Sequence, residues 1–231
     1  MDTRQEVVEG LLQFLSLVEG ERKLLAADLH DQTLADLREL AQLARRLANR
    51  ESSEPAMRQG LLQLVAGLDS TMDEVRRVME RLSPSSLDTL GLLPAIEDCL
   101  LRVSNTCDPP IATRFSCLVR EDQITLNETE QMLLYRIVQE ALNNISKHAG
   151  ASSVELLVAQ FGGDLFVRIT DDGCGFRSSE NLRVARGLIN MRYRAQLMGA
   201  RLTWLRASAD RGTAVEIRVP MKKKETMNDE R

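Results

Sequence analysis

Glu140-Ala141-Leu142-Asn143-Asn144-Ile145-Ser146-Lys147-His148-Ala149 is the stretch on which the rest of the chain turns. It closes a helical pattern that runs from Asn127 to Ala149. Asn127 opens the pattern with Glu130 three residues on, a capping-box arrangement. Leu134, Val138, Ala141 and Ile145 recur at helical spacing and form the face that packs on a sheet. Glu140, Asn144 and Lys147 step by four and three, so they share the opposite, polar face. A carboxylate, an amide and an ammonium in one line suit a Mg²⁺-triphosphate. The amide oxygen binds a hard cation and the ammonium meets phosphate. A solvated helix face carries the same residue types, so the neighbouring sequence has to decide.

Outward toward the C-terminus, strands alternate with one more helix. SVELLVAQ (153–160) and DLFVRITD (164–171) flank Gly162-Gly163, a hairpin signal. Asp171-Asp172-Gly173-Cys174-Gly175-Phe176 follows directly after a strand. Its two glycines let backbone approach a ligand closely, and a carboxylate at a strand end accepts from an exocyclic amine such as that of adenine. Residues 177–186 are polar and without apolar period, which suits a lid over a nucleotide. Gly187-Leu188-Ile189-Asn190-Met191-Arg192 then opens a helix, Arg186 to Met198, whose N-terminus offers free N–H groups to phosphate; Gly199 closes it. RLTWLRA (201–207) and TAVEIRVP (213–220) form a second strand pair. Upstream, Pro94 to Thr106 reads as a helix and IATRFSCL (111–118) as a strand. The order predicts an α+β sandwich, with helices on one face of a mostly antiparallel sheet.

Before Ser83-Pro84-Ser85 the pattern changes to long helix. Leu37, Leu40, Ala41, Ala44, Leu47 and Ala48 step by three and four. Leu61, Val65, Leu68, Met72, Val75, Met79 and Leu82 alternate steps of four and three, the seam of a helical bundle. NRESSEP lies between the two runs, with Ser53 as an N-cap and Pro55 in the first turn. Such a hairpin buries little alone, so a dimeric four-helix bundle is its natural completion. Leu29-His30-Asp31 sits on the first helix. A neutral imidazole is a competent nucleophile, and Asp31 can hold or deprotonate its other ring nitrogen.

Composition excludes several classes. The 231-residue chain carries a net charge of −4 and no clustered basic face, which argues against direct nucleic-acid binding. Lys222-Lys223-Lys224 stands in a short polar tail and reads as solvated. The cysteines at 99, 107, 117 and 174 form no CxxC pair and read as reduced thiols. The N-terminus has no apolar signal region, and no stretch approaches the roughly 20 apolar residues of a membrane span. A cytoplasmic protein without membrane insertion is expected. A P-loop is absent from the sequence.

Taken in order, Glu-x-x-x-Asn, Asp-x-Gly-x-Gly, the Gly-Leu-x-x-Met-Arg helix and Gly212-Thr213-x-Val215 resemble the Bergerat-type (GHKL) ATPase domain. That fold is shared by histidine kinases, gyrase-type topoisomerases, Hsp90 chaperones and anti-sigma serine kinases. Residues 140–149 look like its N box, 171–176 like its first glycine box, and Gly187 to Ala195 like the second. Glu21 to Asp31 is similar to the phosphoacceptor box of the histidine kinase subfamily that includes nitrate/nitrite sensors and a bacterial membrane thermosensor. Ser83 to Ile96 fits that subfamily's junction. The match covers about residues 21 to 220.

The resemblance implies a sensor histidine kinase that binds ATP and Mg²⁺. In that reading His30 is the phosphoacceptor and Asp31 its base. Asn144 coordinates Mg²⁺ with Glu140 assisting. Lys147 and His148 lie near the phosphates. Asp171 binds the adenine amino group, and Gly173 and Gly175 allow close approach. Gly187, Leu188 and Thr213 line the nucleotide site. The implied plan is a signalling helix (1–20), a dimerisation and phosphotransfer hairpin (21–83), a hinge (84–93), an ATP-binding domain (94–220) and a polar tail (221–231). Implied partners are a second copy and a response regulator with LuxR-type DNA-binding output. Sensory input is left to the first twenty residues or a separate partner.

Three features depart from the subfamily's pattern. Ala35 stands five residues after His30, where the subfamily has a glutamine that positions water for dephosphorylating the regulator. Gln32 and Thr33 lie roughly 60° and 160° from that direction on a regular helix, so weak or absent phosphatase activity is expected. Asn190 replaces a common glycine, and a missing sensor and membrane segment is the third expected departure. Two rivals remain at this point. One is a non-catalytic phosphotransfer scaffold with a degenerate ATPase domain, against which the intact boxes speak. The other is an anti-sigma-type serine kinase, against which the His30 box and the heptad hairpin speak.

Overall fold

The computed structural model describes residues 3–50, 54–175, 186–207 and 211–221. The chain divides into two units, Met1–Ser85 and Ser86–Arg231.

The first unit is helical. α1 (Thr3–Asp28) runs through a wide, π-type turn (Leu29–Thr33) into α2 (Leu34–Ala48), and α3 (Pro55–Leu82) returns. Pro55 occupies the first turn of α3, where a missing N–H is tolerated. Glu54 precedes it in extended conformation and makes no side-chain cap; Ser53, the expected cap, lies outside the described residues.

The seam between α2 and α3 is built on Leu34, Ala41 and Met72, packed by Leu37, Leu68, Val75 and Met79. Ala44 and Ala48 are buried on the same side. Steps of three and four from Leu34 therefore run through 37, 41, 44 and 48. Leu40 and Leu47, expected in the seam, are instead 53% and 36% exposed. They lie one residue off the 3.5-residue line and turn outward with Leu43. Arg45 Nη2 donates to both carboxylate oxygens of Asp69, at 2.9 and 2.6 Å, and pins α2 to α3.

The second unit is the expected α+β sandwich. Its elements are α4 (Ser85–Leu90), α5 (Leu92–Thr106), β1 (Ala112–Cys117), α6 (Glu128–Asn144), β2 (Ser153–Phe161), β3 (Asp164–Asp171), α7 (Arg186–Leu197), β4 (Arg201–Arg206) and β5 (Thr213–Pro220). The sheet order is β1-β2-β3-β5-β4. Among the described residues only the β1–β2 pair is parallel. Gly162 and Gly163 both take positive φ, 58° and 93°, which is what a two-residue β2–β3 hairpin with right-handed strand twist needs.

The sheet has two unlike faces. Leu156, Ile169 and Val215 pair in one row, and Val158, Val167 and Ile217 in another; all six are buried. The alternate row of Leu157, Arg168 and Glu216 places a charged pair on the other face, with Arg168 Nε 3.6 Å from Glu216 Oε1. Leu134, Val138 and Ala141 on α6 and Ile145 just beyond it are buried, as their spacing predicts. Asn127 caps α6 by accepting from Glu130 N–H at 2.9 Å, while Glu130 accepts from Asn127 N–H at 2.8 Å.

α5 starts two residues before Pro94. Gly91 takes φ +91°, and the Glu121 carboxylate accepts from Leu92 N–H (2.7 Å) and Leu93 N–H (2.9 Å). α7 ends in a Schellman arrangement at Gly199 (φ +64°): Ala200 N–H bonds Ala195 O and Gly199 N–H bonds Gln196 O. No helix among the described residues is long and apolar enough to cross a membrane. The four cysteines are free.

Candidate functional site

A cavity of about 590 Å³ opens in the second unit between the C-terminal end of α6, the start of α7 and the ends of β3, β4 and β5. α6 and the π-type turn that follows it (Ile145–Ala149) contribute Glu140, Asn144, Lys147 and His148 to its wall. β3 contributes Asp171, the loop beyond it Gly175, β5 Thr213, and α7 Gly187 and Leu188. Local sequence explains this convergence. The polar stripe of α6 stays clear of the sheet because the opposite stripe is apolar, and α7 begins where its glycine lets it close on α6. A Cβ built on Gly187 would stand 2.1 Å from Glu140 Oε1.

Gly173 is absent from the cavity wall and works through its backbone. Its N–H donates to Asp171 Oδ1 at 2.9 Å, and its carbonyl accepts from Gly212 N–H at 2.8 Å. A Cβ there would stand 2.4 Å from the Ala149 carbonyl oxygen. Cys174 N–H also bonds that carbonyl, at 2.9 Å. The loop after β3 is thus stitched to the end of the α6 turn on one side and to the start of β5 on the other.

The two adjacent aspartates divide their work. Asp171 is 4% exposed at the end of β3. Burial pushes its carboxyl above the usual carboxylate range, opposed by the backbone N–H groups of Gly173 and Thr213. Asp172 faces away and fastens β3 to the residues that start β2. It accepts from the Ser152 hydroxyl, Ser152 N–H (2.8 Å) and Ser153 N–H (2.9 Å). These bonds, the Ser152 hydroxyl foremost, hold Asp172 down to about 2.

Ala141, Ile145, Met191, Trp204 and Val215 give the wall an apolar side, and Arg186 adds a cation; Ala141 and Ile145 were expected on the sheet-packing face, and Trp204 was not singled out by the sequence. Register was the signal for Trp204, which pairs with Val215 across β4–β5 and so shares the inner face. Residues 176–185, including Phe176 and nearly all of the expected lid, lie outside the described residues. A cavity whose wall combines an apolar side, a buried carboxylate, hard oxygen donors and a lysine can accommodate a base and a polyphosphate with its cation.

In the first unit, His30 lies on the π-type turn with its side chain 62% exposed. Its Nδ1 is 3.0 Å from Asp31 Oδ1. With Nδ1–H donating to that carboxylate, the lone pair sits on Nε2. Ala35 is exposed just beyond the turn. The regular-helix angles expected for Gln32 and Thr33 do not apply, because a π-type turn spans Leu29–Thr33.

Residues 129–223 match the family model of histidine kinase-, DNA gyrase B- and HSP90-like ATPases. A histidine kinase domain from the blue-light activated histidine kinase of Erythrobacter litoralis aligns with a TM-score of 0.51 at 19% identity, over 80% of this chain and 96% of that one. The second unit has the GHKL ATPase fold.

The chain is also similar to sensor histidine kinases beyond this ATPase unit. The signal transduction histidine-protein kinase/phosphatase UhpB of Salmonella typhimurium is 35% identical over 213 residues, 91% of this chain and 41% of that protein. The signal transduction histidine-protein kinase/phosphatase DegS of Brevibacillus brevis is 28% identical over 223 residues, 95% of this chain and 56% of that protein. The chain thus spans about half the length of the curated relatives it matches.

Proposed function

We propose that this chain is the core of a two-component sensor histidine kinase. The ATPase unit binds ATP, His30 takes the γ-phosphoryl group, and the group passes to an aspartate of a response regulator. One observation carries the reading: Glu140, Asn144 and Lys147 from one helical segment and Asp171 from the end of β3 line a single cavity. The family model over residues 129–223 and the sensor histidine kinase relatives support it.

The roles follow from chemistry. Asp171 accepts from the adenine amino group in the apolar end of the cavity. Lys147 and His148 meet phosphate, and Gly187, Leu188 and Thr213 line the nucleotide. Mg²⁺ suits the Asn144 amide oxygen with Glu140 one turn earlier, because it binds through few protein ligands plus phosphates. No group of three or more His, Cys, Asp and Glu able to hold a metal alone occurs among the described residues. The cation supplies charge compensation on the phosphates when bound.

In the transfer, His30 Nε2 forms a bond to the γ-phosphorus in line with the β–γ bridging oxygen. That P–O bond breaks and ADP leaves with the electron pair. Asp31 holds the Nδ1 proton and accepts it as positive charge builds on the ring. A receiver carboxylate then attacks phosphorus and the P–N bond breaks. Residues 21–83 serve as the dimerisation and phosphotransfer hairpin, 84–93 as hinge and 94–220 as the ATP-binding part. Residues 1–20 serve as a signalling helix and 221–231 as a polar tail.

The finer assignment is to the nitrate/nitrite-sensor and thermosensor-like subfamily, from the Glu21–Asp31 box. With it come a homodimer, a cytoplasmic location, a regulator with LuxR-type output and a possible separate sensory partner. The exposed Leu40, Leu43 and Leu47 give the hairpin a second apolar side for a partner copy. The matched relatives are named kinase/phosphatase. Here Ala35 offers no amide at that position, which favours weak or absent phosphatase activity; rapid loss of label from a phosphorylated regulator that depends on Gln32, on the π-type turn, would instead mark a relocated phosphatase residue.

Labelled ATP tests the reading. Acid-labile label on this chain, lost in His30→Gln, is the expected result. Acid-stable label on a partner serine, or no label, would contradict it.

A further inference from the structure

Two close approaches fix how the cavity runs along the polar stripe of α6. Asp171 Oδ1 accepts from Gly173 N–H at 2.9 Å, and a Cβ on Gly173 would stand 2.4 Å from the Ala149 carbonyl oxygen. The buried carboxylate therefore belongs to the Ala149 end of the stripe. Gly187 belongs to the other end, where a Cβ would stand 2.1 Å from Glu140 Oε1. Glu140 precedes Ala149 by nine residues, about 12 Å at the rise of a helix. A nucleotide whose amine meets Asp171 and which runs along the stripe brings its terminal phosphate toward Glu140 and the start of α7.

Three basic residues line this cavity: Lys147, His148 and Arg186. Lys147 and His148 directly precede Ala149, so they serve the phosphates nearer the base. Arg186 directly precedes Gly187 and is the cation of the Glu140 end. It is exposed, and its guanidinium makes no hydrogen bond or ion pair among the described residues. The Glu140 carboxylate makes none either, although the first turn of α7 rests on it. A carboxylate and a guanidinium that leave each other unpaired both stay open to ligand groups of opposite sign. A terminal phosphate beside Glu140 needs a positive charge on its far side, because the carboxylate repels it. A guanidinium supplies that charge with a planar fork of donors that matches phosphate oxygens.

We infer that Arg186 reads the terminal phosphate: its guanidinium donates to oxygens that ATP has and ADP lacks. The site thereby prefers the substrate nucleotide to the spent one, and the contact is lost once the phosphoryl group has moved. The inference rests on the nucleotide reading of the cavity and adds a specificity-determining residue to it.

The test is a calorimetric titration of the full chain, of Arg186→Gln and of Arg186→Lys with Mg·ATP and with Mg·ADP. Arg186→Gln is expected to bind Mg·ATP about ten-fold more weakly than the wild type and Mg·ADP within about two-fold of it. Retained ADP affinity shows in the same experiment that the variant is folded with its site intact. Arg186→Lys keeps the charge without the fork and should recover part of the ATP affinity, again with ADP unaffected. Equal ATP affinity in the wild type and Arg186→Gln overturns the inference. An equal loss for ATP and ADP overturns it too, because the side chain then acts on the shared part of the nucleotide or on the fold. A wild type that binds neither nucleotide overturns the nucleotide reading itself, a failure distinct from the others.

Discussion

Gly187 and Glu140 stand so close that a Cβ on the glycine would lie 2.1 Å from the glutamate Oε1. The first turn of α7 therefore rests directly on the carboxylate that α6 presents to the cavity. The atom in the way is the far end of a flexible side chain, so the chain can fold around it by moving Glu140. Gly187→Ala is expected to leave the unfolding midpoint nearly unchanged and to weaken Mg·ATP binding about ten-fold. In a Glu140→Ala background the same change should add little, because the pair acts through one contact. Calorimetric titration of the two single variants and the double variant checks this.

Gly212 makes the opposite kind of contact. Its φ is +81°, and a Cβ would stand 2.1 Å from the Asp171 carbonyl oxygen, a backbone atom that cannot step aside. Gly212→Ala should destabilise the chain by about 3 kcal/mol, combining left-handed strain with displacement of β3 from β5. Gly150 also takes a positive φ, +57°, but nothing lies near its Cβ position. Gly150→Ala should lose only about 1 kcal/mol. Urea unfolding of the two variants side by side separates strain from collision.

Asp171 and Asp172 predict opposite pH behaviour. Burial raises the Asp171 carboxyl in the folded protein, so its ionised form disfavours the fold at every pH above that raised value. Asp171→Asn should raise the melting temperature at neutral pH while abolishing ATP binding. Wild-type ATP affinity should fall in mildly acidic solution, above the ordinary carboxylate value of about 3.9, as Asp171 takes up its proton.

Asp172 is held down to about 2, below its unfolded value, so its contribution is present above about 3.9 and lost as pH falls toward 2. Asp172→Asn should destabilise by about 1 kcal/mol near neutral pH, allowing for solvent screening, and by nothing measurable near pH 2. Denaturant melts across that range test the sign.

Glu121 accepts from the N–H groups of Leu92 and Leu93 and so caps α5 from 29 and 28 residues away. Glu121→Ala should cost about 1–2 kcal/mol of stability, and Glu121→Gln less, since the amide oxygen can still accept.

That cap marks the border of what sequence alone could tell. Signals carried within one turn or one hairpin were legible: the Asn127–Glu130 box, the Gly162-Gly163 turn, the Gly199 helix end and the buried stripe of α6. The polar stripe of α6 and Asp171 at the end of β3 were legible as chemistry, and the structure adds that they share one cavity. Features fixed by partners distant in sequence were not legible. Glu121 looks like any surface acid until α5 docks on it. Leu40 and Leu47 fit a loose three-and-four spacing but fall off the stricter line through Leu34, Ala41 and Ala48. The π-type turns at Leu29–Thr33 and Ile145–Ala149 shift helical phase beside His30 and Lys147, and periodicity averages over such shifts. Trp204 entered the site only through its register with Val215.

In the proposed reaction a nucleotide bound beside Glu140, Asn144 and Asp171 gives its terminal phosphoryl group to His30. Mass spectrometry of the full chain after brief incubation with Mg·ATP, with peptides kept at alkaline pH, tests it most directly. A single phosphoryl group on the peptide containing His30, bonded at Nε2, and none in Asn144→Ala, is the expected result. A phosphoryl group on another residue, or one that persists in His30→Gln, would contradict it.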